Sequence, residues 1–171
     1  MTSNNFIVLG IGGRSQYILN YISQHEPNLN IISIDNDEEN LNLDICDKLL
    51  FKDFASIGEK VSLVKDIVVI MFLGGSFVSE MGHHIIKYLL NHNKDVSVIA
   101  IIPFIFEGKH KLLSANLSVT KIEEMVFDTT IYNSNTLIKK LERQVSLNDV
   151  FQIINESIYD IVKVKFLQCL K

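Results

Sequence analysis

A short apolar strand runs directly into a glycine-rich turn near the start of the chain. Residues 6–9 read Phe-Ile-Val-Leu, residues 10–13 read Gly-Ile-Gly-Gly, and a segment with helical spacing follows. Glycines at such a junction allow a tight turn and bring backbone N–H groups close to an anion at the helix N-terminus. The junction therefore predicts either a phosphate-binding loop for a nucleotide or only a tight strand-to-helix connection.

Length and composition indicate one globular domain, 1–171. The 171 residues are 47% hydrophobic and 21% charged, enough for a single core that needs no disulfide or structural metal. His83 and His84 are adjacent on a predicted helix, so we expect their side chains to diverge rather than share a metal.

Charge and cysteine usage indicate where such a domain works. The net charge of −4 argues against a nucleic-acid partner, and the longest apolar runs are too short to span a membrane as helices. Cys46 and Cys169 show no paired spacing, and the N-terminus lacks the pattern of a signal peptide. We expect a cytoplasmic protein.

Six strand-like segments alternate with segments of helical spacing. The apolar runs occupy residues 6–9, 30–34, 48–51, 67–73, 96–102 and 129–132. The predicted buried helical faces are Ile18, Leu19 and Ile22; Ile85, Ile86, Leu89 and Leu90; and Leu112, Leu113, Leu117, Ile122 and Met125. This alternation predicts an α/β fold with a parallel sheet covered by helices on both sides.

The last segment, 146–170, is apolar over an unusually broad arc for a helix. Its main stripe is Leu147, Val150, Phe151, Ile154, Ile158, Ile161 and Val162, and the residues that widen it are Ile153, Val164 and Leu167. A helix that is covered on only one side does not need this width. Either the helix runs through the middle of the fold, or its free side meets a partner protein or a second copy of the chain.

The first half of the chain also fits a dinucleotide-binding unit in part. Asp35 ends the second strand at about the distance expected for an acid that binds a ribose. The third glycine position of that fingerprint, however, holds Ser15. A dinucleotide-binding protein is therefore one alternative.

Four segments resemble FtsZ, the bacterial relative of tubulin. Residues 103–111, Pro-Phe-Ile-Phe-Glu-Gly-Lys-His-Lys, resemble its P-F-x-F-E-G-basic segment, and residues 66–76 resemble the strand and loop of its G-G-G-T-G-T-G motif. Residues 128–138 resemble V-D-x-L-I-x-I-P-N-D-x-L, and 145–151 resemble the start of the central helix, I-S-L-L-D-A-F. The resemblance implies a three-layer, Rossmann-like parallel sheet of order 3-2-1-4-5-6, a long final helix, and GTP or GDP as the ligand.

The same resemblance implies a set of nucleotide-binding residues. Those expected near the phosphates are Gly10, Gly12, Gly13, Arg14, Gly74, Gly75 and Ser76. Asp37 lies in the loop after the second strand, where the family reads N-T-D, while Glu107 and Lys111 would face the ribose and a neighbouring phosphate. The residues expected to frame the guanine are Asn135, Phe151 and Glu156.

The second glycine loop departs from the family pattern. Phe77 and Val78 follow Ser76 where the family has small residues, and bulky side chains do not reach left-handed backbone angles cheaply. Glu80 adds a negative charge, and Arg14 either clamps a phosphate or pairs with Glu80. We expect guanine nucleotide binding to be weak or absent.

The chain ends at about the end of the central helix, where FtsZ continues to a carboxylate that reaches the nucleotide of the next subunit. Without that acid to orient water, we expect no autonomous hydrolysis and assign no catalytic residue. The leading hypothesis is a diverged, stand-alone FtsZ-like domain that acts through contacts with an FtsZ-like subunit or itself, as an assembly regulator or filament cap. The alternative within this family is a GTP-binding protein of cell division with slow or partner-dependent GTPase activity.

Overall fold

Six parallel strands form one sheet in the computed structural model, which describes residues 5–44, 47–140 and 145–170. The strands are β1 (Phe6–Ile11), β2 (Asn30–Asp35), β3 (Asp47–Leu50), β4 (Asp66–Phe72), β5 (Asp95–Ile102) and β6 (Thr129–Asn133). Their order is β3-β2-β1-β4-β5-β6, and every neighbouring pair is parallel. The predicted α/β class and strand order are confirmed. Cys46 lies outside the described residues.

Helices cover both faces of the sheet. They are α1 (Ser15–His25), α2 (Phe54–Val61), α3 (Ser76–Asn91), α4 (Lys109–Glu123), α5 (Ser134–Lys140) and α6 (Leu147–Cys169). The core on one face is shared with α2, α3 and α4, and the core on the other face with α1, α5 and α6. Two short 3-10 turns, Glu38–Asn40 and Ile105–Glu107, follow β2 and β5 at the carboxyl edge of the sheet.

The alternation of side chains along β1 explains why its apolar run is continuous. Ile7, Leu9 and Ile11 pack towards α2, α3 and α4, whereas Phe6 and Val8 pack towards α1 and α6. Both faces are buried, so every position of the strand carries a residue that avoids water.

The predicted buried face of α4 is wrong in part. Leu113 and Leu117 are exposed, whereas Ile122 is buried as predicted, together with Ala115 and Ser118, which were not predicted. Small residues let this helix lie close to the sheet and to α3, and a search for large apolar residues overlooks them. Two exposed leucines are left on the outer side of the helix.

The expectation that His83 and His84 diverge is also wrong. Their ring centroids lie 3.9 Å apart on the surface of α3. Burial, together with the nearby His84, Lys121 and Lys87, lowers the pKa of His83. Across the ranges that the structure describes, no three metal-ligating side chains form a cluster.

The long final helix is confirmed, and Ser146 caps its N-terminus. The Ser146 Oγ accepts the N–H of Asp149 at 3.2 Å, and the Asp149 carboxylate accepts the N–H of Ser146 at 3.0 Å. At the other end of the helix, Lys165 Nζ donates to both carboxylate oxygens of Asp128 at 2.7 Å. The first pair fixes the N-terminal turn of α6, and the second joins the C-terminal part of the helix to the segment just before β6.

One side of α6 is buried and part of its apolar arc is exposed. The buried residues are Val150, Ile154, Ile158 and Val162. Val164 and Leu167 are exposed, so the helix lies on the outside of the described residues rather than through their middle. Within the described residues, α6 and the other helices all lack the combined length and apolar character needed to cross a membrane.

This one-sided packing predicts an unequal response to truncation. Ile158→Ala should lower the free energy of unfolding by about 2–5 kcal/mol, because it leaves a cavity in the core. Leu167→Ala, on the exposed side of the same helix, should change it by less than about 0.5 kcal/mol. Urea unfolding of both variants measures the difference, and equal losses would contradict this placement of α6.

Candidate functional site

A cavity of about 380 Å³ opens at the carboxyl edge of the sheet, beside the ends of β1, β2 and β4. Parallel α/β sheets bind their ligands at this edge, where the strand order reverses. The predicted site residues that line the cavity are Gly12, Gly13, Arg14, Asp37, Gly75 and Ser76. The lining residues without a predicted role in the favoured site include Gln16, Tyr17, Asn40 and Phe72.

The glycines of the first loop have separate structural roles. Gly12 has a φ of +88°, and a Cβ there would lie 2.6 Å from the Val78 side chain. Gly10 lies within β1, where a Cβ would come within 2.5 Å of the Ser15 hydroxyl. Gly10 therefore lets α1 pack closely against the strand, while Gly12 makes the turn at the cavity wall.

The N–H groups of this loop already have partners within the chain. Gly12 donates its N–H to the Ile34 carbonyl at 2.8 Å, and Gly13 donates to Asp35 Oδ2 at 2.8 Å. The Asp35 side chain is 2% exposed, and its Oδ1 also accepts the N–H of Asp37 at 2.9 Å and the side-chain amide of Asn40 at 3.1 Å. The carboxylate thus accepts three hydrogen bonds at the place where a phosphate was expected.

The side chain of Gln16 holds the loop after β2 against the glycine loop by hydrogen bonds. Its Oε1 accepts the N–H of Leu43 at 3.0 Å, and its Nε2 donates to the Asn40 carbonyl. The Asp37 carboxylate accepts the N–H of Glu39 at 3.0 Å and so caps the 3-10 turn. This part of the cavity wall is built by hydrogen bonds between two loops.

The second glycine loop, between β4 and α3, is only three residues long, 73–75. Gly74 has a φ of +89°, and a Cβ there would lie 2.9 Å from the Lys111 carbonyl. Gly75 is the N-cap of α3, so Phe77 and Val78 stand in the first helical turn with buried side chains. As expected for bulky residues, neither adopts a left-handed backbone, since in the described ranges Asn93 is the sole non-glycine residue with positive φ.

Arg14 pairs with Glu107. Its guanidinium donates to Glu107 Oε2 at 2.7 Å and lies 4.9 Å from the centre of the Phe72 ring. The predicted alternative of a pair with Glu80 is wrong, because Arg14 pairs with Glu107 in the turn after β5. Lys111 also donates to Glu107 Oε2, at 3.1 Å.

The Glu107 carboxylate is held by several donors. Burial alone raises the pKa of Glu107. The Phe104 N–H, the Arg14 guanidinium and the Lys111 ammonium together lower the pKa by more than burial raises it, so the pKa lies below the ordinary 4.5. Glu107 Oε1 accepts the Phe104 N–H at 3.1 Å. This carboxylate therefore stabilises the turn after β5 and fixes Arg14 beside the cavity.

Two of the three residues assigned to the guanine, Asn135 and Phe151, support the same turn. Asn135 Oδ1 accepts the N–H of Ile105 at 2.9 Å, and its Nδ2 donates to the Pro103 carbonyl at 3.1 Å. The Phe151 ring packs edge-on against Phe104 with centroids 5.7 Å apart. Glu156 is exposed and accepts a hydrogen bond from Gln152 at 3.1 Å.

The structure therefore brings together about half of the predicted site. The predicted residues that do not line the cavity are Gly10, Gly74, Glu107, Lys111, Asn135, Phe151 and Glu156. The buried carboxylate of Asp35, which the sequence places in the dinucleotide alternative, lies at the centre of the wall. Its position could be predicted, because the second strand ends in an acid. Nothing in the sequence indicated which groups donate hydrogen bonds to it.

Comparison with solved structures identifies the fold. FtsZ from M. jannaschii, a W319Y mutant, superposes with a TM-score of 0.80 at 14% identity over 94% of this chain and 55% of its own. The GDP-bound CetZ1 monomer from Haloferax volcanii has a TM-score of 0.75 at 16% identity, over 95% of this chain and 60% of its own. TubZ from Clostridium botulinum phage c-st has a TM-score of 0.70 at 14% identity, over 95% of this chain and 60% of its own.

These similarities define the class of fold. The chain has the α/β fold of the N-terminal domain of FtsZ and tubulin, as predicted. It spans 55–60% of the length of these three structures. No protein-family model and no curated protein matches the sequence.

The Glu107 contacts predict a pH-dependent contribution to stability. Because the carboxylate has a lowered pKa in the folded protein, its stabilisation is complete above the ordinary pKa of 4.5 and is lost as the pH falls below it. Glu107→Gln should lower the free energy of unfolding at pH 7 by about 1–2 kcal/mol. The difference from wild type should shrink at an acidic pH, below 4.5.

Urea unfolding at both pH values measures this effect. Glu124→Gln is the matched control, because it removes the same charge from an exposed position near the end of α4. Its stability should follow that of the wild type at each pH. A Glu107→Gln difference that is the same at pH 7 and at low pH would contradict the role given to the carboxylate.

Proposed function

We propose that this chain is an FtsZ-like domain that acts through protein contacts at its nucleotide-side face, with guanine nucleotide binding weakened or lost. The observation that carries the proposal is the hydrogen bond from the Gly13 N–H to Asp35. A loop that donates to its own carboxylate offers fewer N–H groups to a phosphate. The pair of Arg14 with Glu107 removes a second group that would otherwise face a polyphosphate.

A guanine nucleotide fits poorly at this edge. The Asp35 carboxylate and the side chain of Asp37 both border the cavity. Their negative charges repel the negative charge of a phosphate. Both the oxygen and the nitrogen of the Asn135 side-chain amide are hydrogen-bonded to the backbone of the turn after β5. The residues that would recognise phosphate and base are therefore occupied in holding the fold.

Large apolar side chains are exposed at the same edge. Tyr17 borders the cavity, and Ile105 and Phe106 stand in the 3-10 turn that carries Glu107. Phe106 is 66% exposed, yet its ring stacks on buried Phe104 with centroids 4.9 Å apart, which fixes it in place. Exposed apolar groups that are held rigid favour a protein partner.

The partner we propose is an FtsZ-type subunit or a second copy of this chain. Similar structures include an FtsZ dimer from M. jannaschii and a GTPγS-bound protofilament of CetZ2 from Haloferax volcanii. A domain that offers its nucleotide-side face to such a subunit would regulate assembly or cap a filament. The exposed Val164 and Leu167 of α6 offer a second contact surface.

The enzyme alternative retains one supporting observation. The cavity persists, and the N-terminus of the 16-residue helix α3 borders it at Ser76, where the helix dipole favours an anion. A GTP-binding protein with slow or partner-dependent hydrolysis is the second candidate. The dinucleotide alternative is disfavoured, since buried Asp35 already accepts three hydrogen bonds and has little capacity left for a ribose.

Calorimetric titration with GTP and GDP separates the two candidates. We expect dissociation constants weaker than about 0.1 mM, a binding free energy smaller than about 5.5 kcal/mol. Saturation at lower concentrations of either nucleotide would contradict the proposal. It would favour the GTP-binding alternative.

Mixing the protein with polymerising FtsZ tests the contact surface. We expect the wild-type protein to change the sedimented polymer and the GTP turnover, and Phe106→Ser to remove most of that effect. Phe127→Ser is the matched control, because Phe127 is fully exposed just before β6, at the opposite edge of the sheet. An inactive wild-type protein, or equal losses in the two variants, would contradict the proposed surface.

A further inference from the structure

We propose that Asp35 is a built-in anion: its carboxylate occupies the Gly13 N–H of the glycine loop and keeps phosphate groups out of the cavity. This role deepens the proposed function, on which it rests, by naming the residue that closes the site. It predicts that the loop still has the geometry to bind an anion once Asp35 is neutral. The ligand class is a diphosphate, free or as part of a nucleotide.

The position of Asp35 is set by the sheet. Ile34 and Ile11 pair between the parallel strands β2 and β1, and the Gly12 N–H continues this pairing to the Ile34 carbonyl at 2.8 Å. The next residue of β2 is Asp35, and the next N–H of the glycine loop is that of Gly13. Strand pairing alone therefore brings the carboxylate to the loop, at a distance of 2.8 Å.

The carboxylate also organises the loop that borders the cavity. Its Oδ1 accepts the Asp37 N–H and the Asn40 side-chain amide at 2.9 and 3.1 Å. Gln16 holds the far end of the same loop through the N–H of Leu43. Asp35 thus makes the same kind of contacts that a bound anion makes, with N–H donors from two loops converging on one charge.

Space for a ligand remains beside this arrangement. The cavity of about 380 Å³ is within the size range of sites for small molecules. Its wall includes Arg14, which is 39% exposed in its side chain although it is paired with Glu107. An anion that entered would find this guanidinium and the Gly13 N–H, provided that Asp35 no longer competed for the N–H.

The test is the neutral variant Asp35→Asn. An asparagine can still accept the Asp37 N–H through its oxygen, but its NH₂ group would then face the Gly13 N–H, and two donors do not bond. The loop N–H becomes available to a ligand. We expect calorimetric titration with GDP and with inorganic pyrophosphate to show binding at least about tenfold tighter than that of the wild type.

The matched control is Asp37→Asn. It removes one negative charge from the same cavity, but Asp37 caps the 3-10 turn and is not bonded to Gly13. We expect a smaller gain, because only the general charge changes. Equal gains in the two variants would overturn the role of the hydrogen bond to Asp35, and an absence of gain in Asp35→Asn would overturn the built-in anion altogether.

A second variant and a further measurement allow the role of Asp35 to be tested even if Asp35→Asn does not fold. Asp35→Ser removes the same charge with a shorter side chain and replaces the first variant if that one does not unfold cooperatively. In the wild-type protein, 1 mM pyrophosphate should leave the amide resonances of Gly12 and Gly13 unmoved, and movement of both would overturn the inference whether or not a variant folds. Tight GDP binding by the wild type would instead refute the proposed function itself.

Discussion

The hydrogen bond between the Gly13 N–H and the buried carboxylate of Asp35 is the contact on which the site depends. It joins the end of β1 to the end of β2 at the edge where a parallel sheet exposes its ligand site. Because the same carboxylate also holds Asp37 and Asn40, one charge organises both loops that border the cavity. A phosphate would have to displace this carboxylate or bind beside its negative charge.

Other polar groups at the carboxyl edge of the sheet are also bonded within the chain. Glu107 accepts hydrogen bonds from Arg14 and Lys111. Asn135 makes hydrogen bonds with the backbone of residues 103 and 105. In each case a polar group that was predicted to bind a nucleotide is bonded within the chain. The turn after β5 presents Phe106 to solvent, and the Phe106 ring stacks on Phe104. Phe106 belongs to the contact surface that we propose.

Much of this fold could be predicted from the sequence, because buried parallel strands require long apolar runs and those runs are visible. The strands and the final helix therefore appeared at nearly their observed bounds. The exposed Leu113 and Leu117 of α4 were mispredicted, because the buried stripe of that helix consists partly of small residues. Arg14 and Glu107 are 93 residues apart in sequence, so their pairing was visible only in three dimensions.

The Gly13 N–H, which was predicted to lie near a phosphate, already donates a hydrogen bond to Asp35. Residue-resolved hydrogen exchange of the Gly13 amide in the wild-type protein tests it most directly, with no nucleotide and then with excess GDP. We expect slow exchange in the free protein and no further protection by GDP. Fast exchange in the free protein that becomes slow on addition of GDP would contradict it.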